Sequence, residues 1–351
     1  MKTLDKVRIS NNDKLNFLSS LVTMLNAGLS VLEIVGSLAE ESQGNLKIFL
    51  DELYEDISQG HTISSTMSKF PRIFDKITVN VIRSAEESGT LESTIREVEL
   101  SLEKSIKFND KIKSAMLYPM VVTIVFFVIV IGILVFVIPK VTSVFITLNI
   151  DLPLPTKILL FISNILTQHT LILLASLLVL GAGTFLIYLK KRTWFINRLI
   201  SLPFISKIVA DIDLARFSHN LSLLLDAGIP IITSLDLTRE VIIREDIRLA
   251  IEDTKEMVSS GKRMSEGFKK AKKLFPKLMV LIADAGEHSG SLSTSMEYIS
   301  KHLEYQVEKR LFSAATLIEP VMLVIIGLVV GGMMLSIISP IYSLIGQIGP
   351  H

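Results

Sequence analysis

The sequence repeats itself over most of its length, and this duplication restricts the fold more than any other feature. With a shift of 201 residues, similar residues superimpose in the later part of each copy: Phe74 on Phe275, residues 86–91 on 287–292, and Pro139 on Pro340. Near the start of each copy the shift is 200, and residues 26–28 fall on 226–228. One single-residue change in length, between the regions of Gly28 and Gly60, accounts for the difference. A repeat of this length indicates a duplicated domain and not a solenoid unit.

Three long apolar stretches predict membrane-spanning helices. They comprise residues 120–138, 170–189 and 321–345, and none contains Asp, Glu, Lys or Arg. Roughly 20 apolar residues in a helix cross the ~30 Å of hydrocarbon in a bilayer. The alternative, a buried core helix, is typical of shorter apolar runs. The predicted fold class is therefore all-α: a polytopic membrane protein with two homologous cytoplasmic helical bundles and three transmembrane helices.

Basic residues near the ends of the spans predict the topology, because they concentrate on the cytoplasmic side. They precede the first and third spans and follow the second: Lys104, Lys107, Lys111, Lys113, Lys301, Lys309, Arg310, Lys190, Lys191, Arg192 and Arg198. The segment 139–169 contains only two, Lys140 and Lys157. Both polar blocks are therefore predicted in the cytoplasm. The middle span has no counterpart in the repeat and returns the chain, so that both copies keep one orientation.

These observations predict a division into seven segments. Residues 1–117 form the first cytoplasmic domain, 118–138 the first span and 139–169 an external loop. Residues 170–189 form the second span, 190–318 the second cytoplasmic domain, 319–345 the third span and 346–351 an external tail.

Both polar blocks have the pattern of helical bundles. Leucines recur at three- and four-residue spacing before Gly28 and again before Gly228, which is typical of an amphipathic helix that ends at a left-handed glycine. Just after these turns, Ser30 suits a helix N-cap and Pro230 suits a first-turn proline. Further along, Gly89 and Gly290 can each end a helix, and Thr90 and Ser291 can each cap the next.

The two copies differ in charge. Residues 1–117 contain 14 basic and 17 acidic residues, a net charge of −3, whereas residues 190–318 contain 20 and 16, a net charge of +4. Much of the difference lies in one run: Lys262, Arg263, Lys269, Lys270, Lys272, Lys273 and Lys277. This run is read either as a solvated helix face or as a surface for anionic lipid or an acidic partner. A nucleic-acid partner is not expected, because no binding motif accompanies the run.

The residues expected of an enzyme or a carrier are missing. The sequence has no glycine-rich phosphate loop followed by Lys-Ser/Thr, no paired metal-binding histidines and no Gly-x-Ser-x-Gly element. It contains no cysteine, which excludes thiol catalysis and disulfides. The three spans lack the ionisable residues that proton relays and ion pathways usually require. No catalytic residue and no organic cofactor are therefore predicted.

Two features are candidates for interactions instead. Gly327, Gly331 and Gly332 place small residues along one face of the third span, which favours close approach of another helix, within this chain or in a partner. Glu33 and Glu86, with Glu287 in the second copy, lie near predicted helix ends. A structural cation such as calcium between them is one interpretation. A carboxylate that caps a helix by hydrogen bonding is the alternative.

The ordered motifs in both copies carry a family resemblance. They comprise residues 25–33 and 225–230, residues 70–74, residues 86–89 with Leu91, residues 286–290 with Leu292, Tyr118-Pro119, Glu319-Pro320 and residues 152–156. From about residue 15 to 345 the chain resembles the inner-membrane platform proteins of type II secretion and type IV pilus assembly systems. It departs from them at Ala85, where the second copy has Gly286. A member of the type IVb pilus class is the favoured assignment within the family.

The resemblance implies a non-enzymatic platform in the bacterial inner membrane, with a cytoplasmic N-terminus and a periplasmic C-terminus. Its implied partners are a cytoplasmic assembly ATPase, pilin or pseudopilin subunits, other inner-membrane assembly proteins and further copies of itself. The family can hold a cation in the first domain, and Glu33 and Glu86 are the matching positions. The alternative from another class is a membrane transport component similar to an exporter permease.

Overall fold

The computed structural model describes residues 4–147 and 203–348, together with residues 157, 160, 161 and 163–165. All regular structure in these residues is helical, which confirms the predicted all-α class. The second predicted span, most of the loop 139–169 and the last three residues of the tail lie outside the described residues.

Six helices form each copy. A short 3-10 turn at Leu4–Lys6 precedes the first copy, whose helices are α1 (Asn11–Asn26), α2 (Val31–Glu41), α3 (Gly44–Ser58), α4 (Ile63–Ser68), α5 (Lys76–Ser88) and α6 (Leu91–Gly132). A π-helical turn at Ile133–Val137 leads into α7 (Ile138–Thr147). The helices of the second copy are α8 (Pro203–Asp226), α9 (Ile231–Arg239), α10 (Glu245–Ser259), α11 (Met264–Lys270), α12 (Lys277–Ser289) and α13 (Leu292–Ile348).

The helix bounds locate the change in repeat length. Helices α1 and α8 end at Asn26 and Asp226, which follow the smaller of the two shifts. Helices α3 and α10 begin at Gly44 and Glu245, which already follow the larger one. The extra residue therefore lies in the connection that follows α9, where the structure has a turn instead of the last turn of α2. A connection on the surface absorbs an insertion without disturbing the core.

The predicted helix ends are confirmed almost residue by residue. Gly89 and Gly290 follow α5 and α12 with φ of 72° and 70°, a left-handed conformation that is nearly free of cost for glycine. Ser30 caps α2 as predicted. Pro230 lies one residue earlier than predicted, at the N-cap of α9 and not inside its first turn.

Each copy has its own aromatic core. In the first copy the ring of Phe49 meets those of Phe17 and Phe70 edge-on, with centroids 5.4 Å and 5.3 Å apart. In the second copy Phe268 and Phe275 stack with centroids 4.4 Å apart. Such pairs add about 0.5–1.5 kcal/mol to the stabilisation from burial. The two copies together form one compact unit, Met1–Lys111 with Pro203–Glu308.

The second unit, Ile112–Leu202 with Lys309–His351, contains the apolar helical segments. Two helices of the described chain, Leu91–Lys140 and Leu292–Gly332, are long and apolar enough to cross a membrane. In the most apolar 18-residue stretch of each helix, only 11% and 6% of the stretch is buried. Most of these side chains therefore face outward, as lipid-facing residues do. The first and third predicted spans lie within these helical segments and their continuations.

Helical structure continues into the segment predicted as the loop 139–169, since α7 extends to Thr147. A proline in a regular helix clashes with the carbonyl four residues earlier. The π-helical turn just before Pro139 makes room, because the Ile138 N–H donates to the Ile133 carbonyl, five residues earlier. The chain therefore passes Pro139 without leaving the helix.

Candidate functional site

The seven basic residues singled out from the sequence lie together on one surface of the second copy. They occupy α11, the residues on either side of it and the first position of α12, and all seven are exposed: Lys262, Arg263, Lys269, Lys270, Lys272, Lys273 and Lys277. We call this set the basic surface. Its cationic groups are therefore accessible to solvent.

Most charges of the basic surface lack a counter-ion within the described residues. Lys270 lies 3.8 Å from Asp253, and Arg263 contacts His288. The first copy differs, because Lys69, the counterpart of Lys270, binds both Glu52 and Asp56 at 2.7 Å. Uncompensated charge of one sign attracts molecules of the opposite sign.

A groove of about 500 Å³ opens within the basic surface. Phe275, Val280 and Leu281 contribute apolar side chains to its lining, and its charged lining residues are Lys269, Lys272, Lys277, Glu266 and Asp284. An apolar floor between lysines fits an amphipathic segment that carries acidic residues beside apolar ones.

A half-buried carboxylate positions the helix that carries this surface. Glu287 accepts hydrogen bonds from the backbone N–H groups of Met264 and Ser265, at 2.6 Å and 2.9 Å, and so caps α11. In the first copy Glu86 accepts from Ile63 and Ser64 at 2.5 Å and 3.2 Å and caps α4 in the same way. Bonds to a charged acceptor are about twice as strong as neutral ones, so both carboxylates act as structural caps.

Glu33 serves a different helix. It forms a capping box with Ser30 at the start of α2, where its carboxylate accepts from the Ser30 N–H at 2.9 Å and from the Ser30 hydroxyl at 2.8 Å. The backbone bond first, and then the hydroxyl, lower the pKa of Glu33. No group of three acidic or histidine side chains able to hold a metal occurs among the described residues. A cation on Glu33 and Glu86 stays a prediction.

The three glycines of the third predicted span face open space in α13. A Cβ atom added at Gly327, Gly331 or Gly332 would meet no atom within 4 Å in the described chain. Contact of another helix with this side of α13, which we call the glycine face, stays a prediction.

Polar contacts between the two copies were not predicted from the sequence. Lys76 on α5 binds Glu240 at 2.8 Å, and the Ser84 hydroxyl donates to the Ala227 carbonyl at 2.9 Å. The partners are 164 and 143 residues apart, so helical periodicity could not pair them.

His219 lies at the same boundary between the copies. Its Nε2 lies 2.7 Å from the Ser101 hydroxyl of α6. Burial, followed by the nearby charge of Lys104, lowers the pKa of His219 to about 4. The ring is therefore neutral at neutral pH, and it joins the copies by a neutral hydrogen bond.

Comparison with known proteins identifies the same duplication. A family model described as "Type II secretion system (T2SS), protein F" matches residues 17–139 and again residues 217–340. The starts of the two matches follow the smaller shift of the repeat, and their ends follow the larger one. One curated relative, the type 4 fimbrial assembly protein PilC of Pseudomonas putida, is 29% identical over 96% of this chain and 85% of its own length.

Two further relatives carry names from both kinds of machine. The type IV pilus assembly protein PilC of Thermus thermophilus is 28% identical over 95% of this chain and 82% of its own length. The type II secretion system protein F of Vibrio cholerae is 26% identical over 96% of this chain and 83% of its own length. The similarity thus extends over nearly the whole chain in both cases.

Proposed function

The chain belongs to the family of type II secretion system protein F, and from that premise we propose that it is an inner-membrane platform protein of a type IV pilus assembly or type II secretion machine. In this role it couples a cytoplasmic assembly ATPase to the movement of pilin or pseudopilin subunits out of the membrane. The names of its relatives, which belong to pilus assembly and to type II secretion, support the proposal.

One structural observation carries the proposal: the last helix of each copy continues into an apolar segment, past Pro119 in α6 and past Pro320 in α13. Helix α6 has 42 residues and α13 has 57, which corresponds to lengths of about 63 Å and 85 Å. Both exceed the ~30 Å of a bilayer core. A continuous helix of this length is suited to transmit a displacement of a cytoplasmic domain to the membrane segment.

The proposed topology follows the distribution of basic residues. Both copies lie in the cytoplasm, the N-terminus is cytoplasmic and the C-terminus periplasmic. The ATPase contacts the basic surface along α11 and the residues on either side of it, because an acidic segment complements these charges. Pilin subunits meet the membrane helices, the role requires no catalysis by this chain, and self-association through the glycine face of α13 completes the platform.

Charge reversal tests the contact with the ATPase. The variant carries Lys269→Glu, Lys272→Glu and Lys273→Glu in the full chain, and co-purification with the assembly ATPase is measured in detergent. We expect the amount of co-purified ATPase to fall at least about tenfold. Reversing three charges should weaken the binding free energy by well over ~1.4 kcal/mol, which corresponds to a factor of ten.

A matched control makes the same change of charge on the first copy, with Lys47→Glu, Arg72→Glu and Lys107→Glu, which are all exposed. The control variant should retain the ATPase. If both variants retained the ATPase, the contact would be contradicted. If both lost it to the same extent, the loss would be a nonspecific effect of charge, and the contact would also be contradicted.

A further inference from the structure

The two copies bind one another through different surfaces, so their contact is asymmetric. The first copy contributes α5, which packs against α8 and α9 of the second copy. Ile77 and Val81 of α5 are 4% and 0% exposed, and Lys76 and Ser84 on the same helix make the polar contacts described above. Helix α6 contributes Ser101, which binds His219.

Much of the corresponding surface of the second copy is uncovered; Ile282, the counterpart of Val81, is half-buried and packs against the core of its own copy. Leu278, the counterpart of Ile77, is 42% exposed, and Leu281 on the same helix face is 57% exposed. On α13, Tyr298 and Tyr305 are 60% and 61% exposed. Together with the exposed Ala285, the counterpart of Ser84, these residues define what we call the α12–α13 face.

The composition of this face is typical of a binding surface. Residues 278, 281 and 285 recur at three- and four-residue spacing, so they form one stripe along α12. Where the first copy has Asn80 and Ser84, the second has Leu281 and Ala285, so the uncovered face is the more apolar of the two. Exposed leucines and tyrosines grouped in this way mark interaction sites more often than ordinary surface.

The polar pairs between the copies indicate which partner binds the α12–α13 face. Lys76 and Glu240 correspond to Lys277 and Glu40, which have the same charges and are both exposed. A basic residue on α12 and an acidic residue at the end of α2 could therefore form the same ion pair between two molecules. The acidic end of α2 also includes Glu41, so it complements the basic surface around Lys277.

The pair that contains His219 is also reproduced, with its members exchanged. Ser101 and His219 correspond to His302 on α13 and Ser19 on α1. A serine and a histidine again lie at matching positions on the two surfaces. The complementarity at both pairs favours a second copy of this chain over an unrelated partner.

The proposed binding surface on the first copy is formed by α1 and α2, and we call it the α1–α2 corner. It is more polar than its counterpart on α8 and α9. Thr23 and Ser37 replace Leu223 and Leu237, which pack against the core of the first copy within the chain. A contact between separately folded chains has to stay soluble before it forms, and a more polar corner meets that requirement.

We propose that the α12–α13 face of one chain binds the α1–α2 corner of a second copy of this chain, in the way the first copy binds the second within each molecule. The inference rests on the self-association included in the proposed function. Such a head-to-tail contact uses two different surfaces, so the assembly closes only if the rotation between successive chains completes a ring.

Disulfide formation between two chains tests the proposal directly, because the sequence contains no cysteine. One full-length chain carries Ala285→Cys and a second, differently tagged chain carries Ala27→Cys; these positions correspond to Ser84 and Ala227, which are hydrogen-bonded at 2.9 Å. The chains are co-expressed and the membranes are mildly oxidised. We expect a disulfide-linked dimer that carries both tags.

Two controls define the result. Ser84→Cys with Ala227→Cys in one chain should give a disulfide within that chain, which shows that the geometry allows the bond. Leu249→Cys, at a residue 59% exposed on α10, should give no dimer with Ala27→Cys. The proposal is overturned if Ala285→Cys gives no more dimer than Leu249→Cys, or if it crosslinks to a different protein instead.

A charge exchange provides the second test. Lys277→Glu should reduce the yield of the mixed dimer about tenfold or more, and Glu40→Lys in the other chain should restore it. Native mass measurement of the same samples separates the two proposals. If the chain is an oligomer but no disulfide forms, the proposed surface is wrong and self-association is retained. If the chain is a monomer, both proposals are wrong.

Discussion

The neutral histidine between the two copies makes the stability of the unit that they form depend on pH. The pKa of His219 is lowered from 6.5 to about 4 by burial and then by Lys104. Between these values the unfolded chain binds a proton that the folded chain does not. The contribution of His219 to stability is therefore complete above about pH 6.5, and it is lost progressively as the pH falls towards 4.

The size of the effect follows from the shift. Each pKa unit corresponds to about 1.4 kcal/mol, so the full shift corresponds to a loss of up to about 3 kcal/mol. The ring is only partly buried, and solvent screening reduces this figure. We expect a loss of about 1–2 kcal/mol near pH 4.5, which with a urea m-value of about 2 kcal/mol/M lowers the unfolding midpoint by roughly 0.5–1 M.

The assay is pulse proteolysis in urea on the full chain in detergent, at neutral pH and near pH 4.5. His219→Gln keeps a hydrogen-bonding group near Ser101 but does not titrate. Its midpoint should therefore fall less on acidification than that of the unaltered chain. His61→Gln, at an exposed position in the first copy, is the control and should behave as the unaltered chain. An identical acid response in all three proteins would refute the reasoning.

Three further predictions concern packing, capping and helix association. Gly286→Ala should lower the free energy of unfolding by about 1–3 kcal/mol, because the added Cβ overlaps the Ser295 side chain; an unchanged urea midpoint would contradict this. Glu287→Gln should raise hydrogen exchange of the first α11 amides, since the charged cap contributes about 1.5–3 kcal/mol per bond, whereas the exposed Glu266→Gln on the same helix should leave exchange unchanged. Gly331→Leu should reduce oligomer mass in native mass measurement, and Gly132→Leu, also in open space, should not; equal masses would exclude the glycine face.

The sequence predicted the local structure well because its signals are local. Gly89 and Gly290 end helices and Ser30 begins one, as the residue types require. The duplication predicted the same series of helices in both copies, and the helix bounds confirm it. Pro139 shows the limit of such reasoning. The first span was predicted to end at residue 138, but a π-helical turn upstream of Pro139 lets the helix continue to Thr147.

The site could be predicted only in part. The run of lysines in the second copy indicated a basic surface, and the structure shows all of its members exposed. The contact between the copies was not predicted, because Lys76 and Glu240 pair across 164 residues and no periodic pattern connects them. The repeat contains the information that could have helped. Once the Lys76–Glu240 contact is known, the alignment of the two copies identifies Lys277 and Glu40 as the equivalent pair.

The central claim is that both copies lie on the same side of the membrane, and cysteine accessibility tests it most directly. Single variants His61→Cys and Lys262→Cys place a thiol at exposed, nearly equivalent positions of the two copies in a chain that has no other. A membrane-impermeant maleimide is applied to cells with a permeable outer membrane, before and after the inner membrane is opened. The account predicts that both thiols are protected before and labelled after. Labelling of one thiol in intact cells while the other stays protected would contradict it.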